Sequence, residues 1–206
     1  DQPRSRGLGD VYKRQDDNII VCNKPVGMPS QSDRTFEQDL VSYVLTHRTE
    51  QNEPAYAAII NRLDKPVGGL VLFAKNKKAA AGLSAVSGEH GIEKNYYALV
   101  KGSPCDKGEF TDYLLKDGKN NISTVTDKDT KGSKKAVLLY EKLGEKTIDG
   151  EKYSLMRVRL LTGRHHQIRV QFSHHGYPLY GDIKYNSDFR NRRDVSPALF
   201  AYHLSF

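Results

Sequence analysis

The chain has 206 residues, 37% of them hydrophobic and 28% charged, a balance that suits one globular domain with a real core and excludes a disordered or membrane-spanning composition. No apolar run approaches the length of a membrane span, and the two cysteines, Cys22 and Cys105, stand alone, which fits the reducing cytoplasm. The net charge of +7 fits either a polyanionic partner or a basic surface kept for solubility, and charge alone does not choose between them.

Residues 1–15, "DQPRSRGLGDVYKRQ", hold no periodic apolar pattern and are expected to be an artefactual or disordered leader to a single domain over 16–206. "NIIVCNK" (Asn18–Lys24) reads as a short buried strand that ends at Pro25 and a Gly27-Met28-Pro29 turn. Phe36, Leu40, Tyr43 and Val44 recur at helical spacing, with Thr35 and Gln38 placed as a capping box. "AIINRLDKPVGGLVLFAKN" then gives two strands around a charged turn through Pro66 and Gly68-Gly69. Asn76 is the expected cap of a short helix running to about Ser84.

Four strands follow: "KNYYALVK", "EFTDYLL", "KKAVLLYEKL" and "YSLMRVRLL", the last after an Asp149-Gly150 hairpin turn. His165 to Gly176 has helical spacing and a terminal glycine. "LFAYHLSF" reads as a strand cut short at the end of the sequence. Strands in groups with few helices between them predict an α+β fold with a mainly antiparallel sheet.

Several chemistries find no motif here. There is no glycine-rich phosphate loop and no G-x-S-x-G elbow, so no nucleotide cofactor is expected. Adjacent histidines, as at 165–166 and 174–175, point to different sides of a helix, and no carboxylate or cysteine stands at ligand spacing beside them; no metal is expected either.

What remains is Asp64, held between Arg62 and Lys65 on a turn that would present its carboxylate at a fixed angle. Arg169 has His166 three and His165 four residues before it on the expected helix, one shared face. A buried arginine of this kind can hold an aspartate ionised through a bidentate contact. Tyr96 and Tyr97 must point to opposite faces of a strand, and the inward one can line a pocket. Taken singly, each of Asp64, Tyr96 and Arg169 is more often structural than catalytic. The segment from Arg157 to Asp194 adds eight Lys or Arg against three aspartates, Asp182, Asp188 and Asp194.

Together the motifs resemble a known family. "NRLDKPVGGLVLFAKN" is similar to the H-R-L-D-x-x-x-x-G-L segment of RluA-type RNA pseudouridine synthases, and "KNYYALVKG" to their K-x-Y-x-A-x-V-x-G strand. "LLTGRHHQIRVQFSHHGYPLYGDIKY" resembles their T-G-R-x-H-Q-I-R segment running on to G-x-P-x-x-G-D. "DDNIIVCNKPVGMPSQ" resembles their opening and "LFAYHLSF" their last strand.

The resemblance implies a bent, mainly antiparallel sheet with flanking helices and a central basic cleft, needing no metal or cofactor. It implies Asp64, Tyr96 and Arg169 as the catalytic set, with Arg169 pairing Asp64. Arg62, Arg164, His166 and Gln167 would contact RNA, either ribosomal or transfer RNA. Apart from the resemblance, the isolated cysteines point to the cytoplasm, and a monomer is the default expectation with the oligomeric state left open. The chain departs from the pattern at Asn61, where the family usually has His, at Val67-Gly68, where Thr-Ser is common, and at Phe200, which replaces a His. Two rival readings stand beside the enzyme: a weakened RNA-binding protein of the same fold, and a basic ribosome-associated structural protein.

Overall fold

The structure, a computed structural model, describes residues 12–32, 37–86 and 91–206. Two compact units make up the fold, Asp1–Ile92 and Glu93–Phe206. Both are α+β and antiparallel.

In the first unit, β1 (Tyr12–Gln15) pairs with β2 (Ile19–Lys24), β2 pairs with β4 (Gly68–Ala74), and β4 also takes the short β3 (Ala58–Ile59). The continuous apolar run of β4 is a strand covered on both faces, since Val71, Leu72, Phe73 and Ala74 are all fully buried. Gly68 and Gly69, expected in the turn, open this strand instead; the reversal itself is a tight turn closed by Val67 N–H on Asp64 C=O at 2.9 Å. β1 lies inside the segment expected to be artefactual or disordered, where its backbone pairs residues Arg14 and Gln15 with Val21 and Ile20.

Two helices complete this unit. α1 (Leu40–Glu50) starts at Asp39, whose carboxylate accepts from Ser42 N–H at 2.7 Å. The Thr35 of the expected capping box lies outside the described residues. α2 (Lys77–Val86) is capped as the sequence indicates, with Ala79 N–H donating to Asn76 Oδ1 at 2.8 Å.

The second unit is one antiparallel sheet in the order β10-β5-β9-β8-β6-β7, comprising β5 (Glu93–Lys101), β6 (Lys107–Asp117), β7 (Ile122–Thr126), β8 (Lys134–Ile148), β9 (Glu151–Leu160) and β10 (Leu199–Ser205). Asp149 and Gly150 both take positive φ, 51° and 80°, the conformation of a two-residue hairpin turn. β7 was not anticipated: "ISTVT" is short and half polar, and it forms because the hairpin from β6 folds back in register.

α3 (Gln167–His174) packs on β6 and β7, where Val170 meets Leu114 and Ala136, with Val125 and Tyr185 at the margin. Phe172 packs edge-on against Phe110 at 5.1 Å. The helix is shorter than the sequence suggests. His166 is its cap residue in the left-handed region (φ 55°), and His165 precedes it, so His165 does not share a helical face with Arg169. Gly176, at φ 86°, ends the helix as expected. Among the described residues, no helix is long and apolar enough to cross a membrane.

Candidate active site

The Asp64 loop is built from the sequence "NKPVGMPS" as much as from its own residues. Lys24, at the end of β2, is only 1% exposed. Its ammonium donates to the carbonyls of Pro25 (3.0 Å), Met28 (2.7 Å) and Lys65 (3.1 Å). Gly27 also donates its N–H to Lys65 C=O at 2.9 Å, and it can do so because φ is +88°, which favours glycine. On the other side of the aspartate, Ser30 Oγ accepts from Leu63 N–H (3.0 Å) and donates to Leu63 C=O (2.7 Å). Both peptide neighbours of Asp64 are therefore pinned by the 24–30 segment. Asp64 itself is half-buried and Arg62 is exposed.

This setting places a cation beside the carboxylate. Burial pushes the Lys24 ammonium down to about 8, and the Asp64 charge opposes that shift. Three carbonyl acceptors compensate the buried ammonium by hydrogen bonding. In the sequence Lys24 ends a strand and belongs to the Asn-Lys-Pro-x-Gly stretch of the opening motif, where a lysine has turn carbonyls within reach, but no role for its ammonium is legible there.

A pH consequence follows. In the unfolded chain a lysine titrates near 10.4, so between pH 8 and that value the native state holds fewer protons than the unfolded one. Stability contributed at this site therefore rises with pH across that window, by about 2 kcal/mol between pH 7.5 and 9.5. Urea unfolding at the two pH values should show this gain in the unchanged protein and lose it in Lys24→Met; equal slopes in the two proteins would disprove it.

In the second unit, Arg169 is 2% exposed and Asp182 is fully buried. They form a bidentate pair, Nε to Oδ2 at 2.7 Å and Nη2 to Oδ1 at 2.8 Å. Asp182 Oδ1 also accepts from the backbone N–H groups of Lys184 (3.0 Å) and Tyr185 (3.3 Å), and the Arg169 guanidinium lies 5.2 Å from the centre of the Tyr185 ring. Gly181 must be glycine: φ is +73°, and a Cβ there would meet Ser196 C=O at 2.3 Å. Asp182 is thus the buried partner of Arg169; in the sequence it stands only as one acid among three in a basic segment and as the Gly-Asp ending of the "GYPLYGD" motif.

Tyr96 lies on β5 between Ala201 of β10 and Val158 of β9 and is 6% exposed, whereas Tyr97 is 38% exposed and stacks on Tyr202. The two point to opposite faces, as strand alternation requires, and the inward one is Tyr96. Arg164 is half-buried, and its Nε donates to Lys135 C=O at 2.8 Å.

Gln167 is buried, and its amide is engaged within the protein: Oε1 accepts from Arg164 N–H and Thr162 Oγ1, and Nε2 donates to Val137 C=O. His166 is also buried, hydrogen-bonded through Nδ1 to Tyr185 OH at 2.7 Å and stacked on His165. These two side chains shape the 162–167 turn and carry Arg164. Asp64 belongs to the first unit, and Tyr96, Arg164 and Arg169 to the second.

Comparison with known proteins places these motifs. The RNA pseudouridylate synthase family profile matches residues 18–174. The chain is 33% identical to tRNA pseudouridine synthase C of Haemophilus ducreyi over 87% of its own length and 75% of that protein's. It is 32% identical to ribosomal large subunit pseudouridine synthase D of Zymomonas mobilis, over 93% of this chain and 63% of that one. Its fold is similar to that of human RNA pseudouridylate synthase domain containing 4, with a TM-score of 0.76, 22% identity, and coverage of 96% of this chain and 84% of that chain. Human RNA pseudouridylate synthase domain containing 1 is alike, with a TM-score of 0.75 and coverage of 95% and 77%.

Proposed function

The chain belongs to the RNA pseudouridylate synthase family, and from that premise we propose that it isomerises uridine to pseudouridine in structured RNA, with Asp64 as the essential carboxylate. The single observation that supports this role for Asp64 is the construction of its loop. A carboxylate left half-exposed, while the peptides on both sides of it are pinned by Lys24, Gly27 and Ser30, is presented to something outside the loop. An aspartate serving only as a surface charge needs no such support.

The reaction breaks the N1–C1′ bond of uridine, turns the uracil, forms C5–C1′ and loses the C5 proton to solvent while N1 takes one up, so the atoms balance. The base must leave its stack to reach the protein, so a pocket for a flipped nucleotide is required. Asp64 acts on the ribose or the base ring, as nucleophile or as base. Tyr96 stacks against the uracil, and Arg169, oriented by Asp182, serves the ionised form of Asp64. Arg62, Arg164 and the basic residues of 157–193 hold phosphates, a contribution that weakens with salt. His166 and Gln167 act by shaping the Arg164 turn. The substrates are ribosomal or transfer RNA, and the protein works in the cytoplasm as a monomer without metal or cofactor.

The test is incubation with bulk RNA carrying 5-tritiated uridine. Tritium should appear in water as C5 loses its hydrogen on bonding to C1′, and nucleoside analysis should show pseudouridine in matching amount. RNA that is bound yet yields neither tritium nor pseudouridine, across ribosomal and transfer RNA made without modification, would favour the RNA-binding reading.

A further inference from the structure

We infer that Asn61 and Ser30 are positioning residues for Asp64, a conclusion that rests on the reading of Asp64 as the essential carboxylate. Where β3 stops, Ile60 N–H makes a last backbone bond to β4, on Leu72 C=O at 2.9 Å, and the chain then turns away towards Asp64. From Asn61 onward the main chain no longer runs along β4. The Asn61 side chain continues the ladder in its place: Oδ1 accepts from Leu72 N–H at 2.8 Å, and Nδ2 donates to Leu70 C=O at 3.2 Å. Both ends of the amide are engaged, so its orientation is determined by its partners, and the residue is buried at 9% exposure.

Two residues later Ser30 clasps Leu63, whose side chain is also buried, through both its N–H and its C=O. Asp64 comes next. Its backbone direction is therefore set by one side chain anchored to the central strand and one from the 24–30 turn. Both side chains are engaged with backbone groups. Each substitutes for the regular backbone pairing that a loop lacks, and a loop without such bonds opens readily.

The position also explains how the chain tolerates asparagine where the family usually has histidine. The task is to accept one hydrogen bond and donate another to a strand edge, and an amide does both.

The effect expected is on turnover, because misplacing a reacting group by about 1 Å costs roughly a hundredfold in rate. Asn61→Leu, isosteric but unable to bond Leu70 or Leu72, should lower single-turnover rate at least about tenfold and leave RNA affinity within about twofold. Ser30→Ala should act in the same direction. Asn61→His, which restores one acceptor and one donor, should recover most of the rate.

All variants are to be assayed for tritium release and filter binding on the same RNA, at a temperature where thermal unfolding shows each to be folded, beside Asp64→Asn. Wild-type turnover by folded Asn61→Leu, with Asp64→Asn inactive, would overturn this inference alone. So would a loss of rate that tracks the unfolded fraction. Turnover by Asp64→Asn would overturn the reading of Asp64 and this inference with it.

Discussion

Asp64→Asn is expected to reduce tritium release by at least about a thousandfold while RNA binding stays within a few-fold of the unchanged protein. The substitution keeps side-chain size and removes only the negative charge and the capacity to attack or take a proton. The loop should survive it, since the bonds that hold the loop run to the backbone of Leu63 and Lys65 and not to the Asp64 carboxylate alone. Losing that charge also removes the interaction that keeps Lys24 protonated, so the Lys24 ammonium should titrate still lower in the variant. A merely structural Asp64 predicts the reverse pattern: a drop in melting temperature with turnover intact in the folded fraction. Measuring both on one preparation separates the two, and undiminished turnover would remove Asp64 from the mechanism.

The second large effect is expected on stability. Asp182→Ala leaves the Arg169 guanidinium buried without its bidentate partner, and Lys184 and Tyr185 lose a shared acceptor. Breaking one side of a buried ion pair costs roughly 3–5 kcal/mol, because the remaining charge stays desolvated. For a chain of this size that corresponds to a fall of roughly 10 °C in melting temperature. Arg169→Ala should cost a similar amount. The double substitution Arg169→Met with Asp182→Leu should be markedly milder than either single change, since apolar groups then replace both charges. Urea unfolding of the three variants tests this; additive losses in the double variant would refute coupling between the two residues. Activity should be lost in all three, which distinguishes this pair from a salt bridge serving stability only.

Much of the fold was readable locally. Asn76 caps α2, Asp149-Gly150 turns the β8–β9 hairpin, and the alternation of β5 sends Tyr96 and Tyr97 to opposite faces. Each of these depends on residues within a few positions of one another, where backbone preference and side-chain reach suffice. The beginnings of α1 and α3 were less legible. Asp39 caps α1 because its carboxylate also binds Ser32 N–H across the preceding loop, which holds it at the entry. His166 takes a left-handed φ at the start of α3 while Gln167 bonds to Thr162, Arg164 and Val137. Those partners lie outside any helical pattern.

By itself, then, the sequence determined most of the strands and helices, that Tyr96 and Tyr97 face opposite sides of β5, and that Asp64 stands on a tight turn between two strands. Tertiary structure alone decided what holds that turn. Lys24 reaches Lys65 from 41 residues away and Ser30 reaches Leu63 from 33. In the second unit, likewise, Arg169 finds Asp182 across 13. Hydrogen bonds of that kind act over about 3 Å in space and carry no periodicity along the chain, so they come into being only when the strands have set their donors and acceptors side by side.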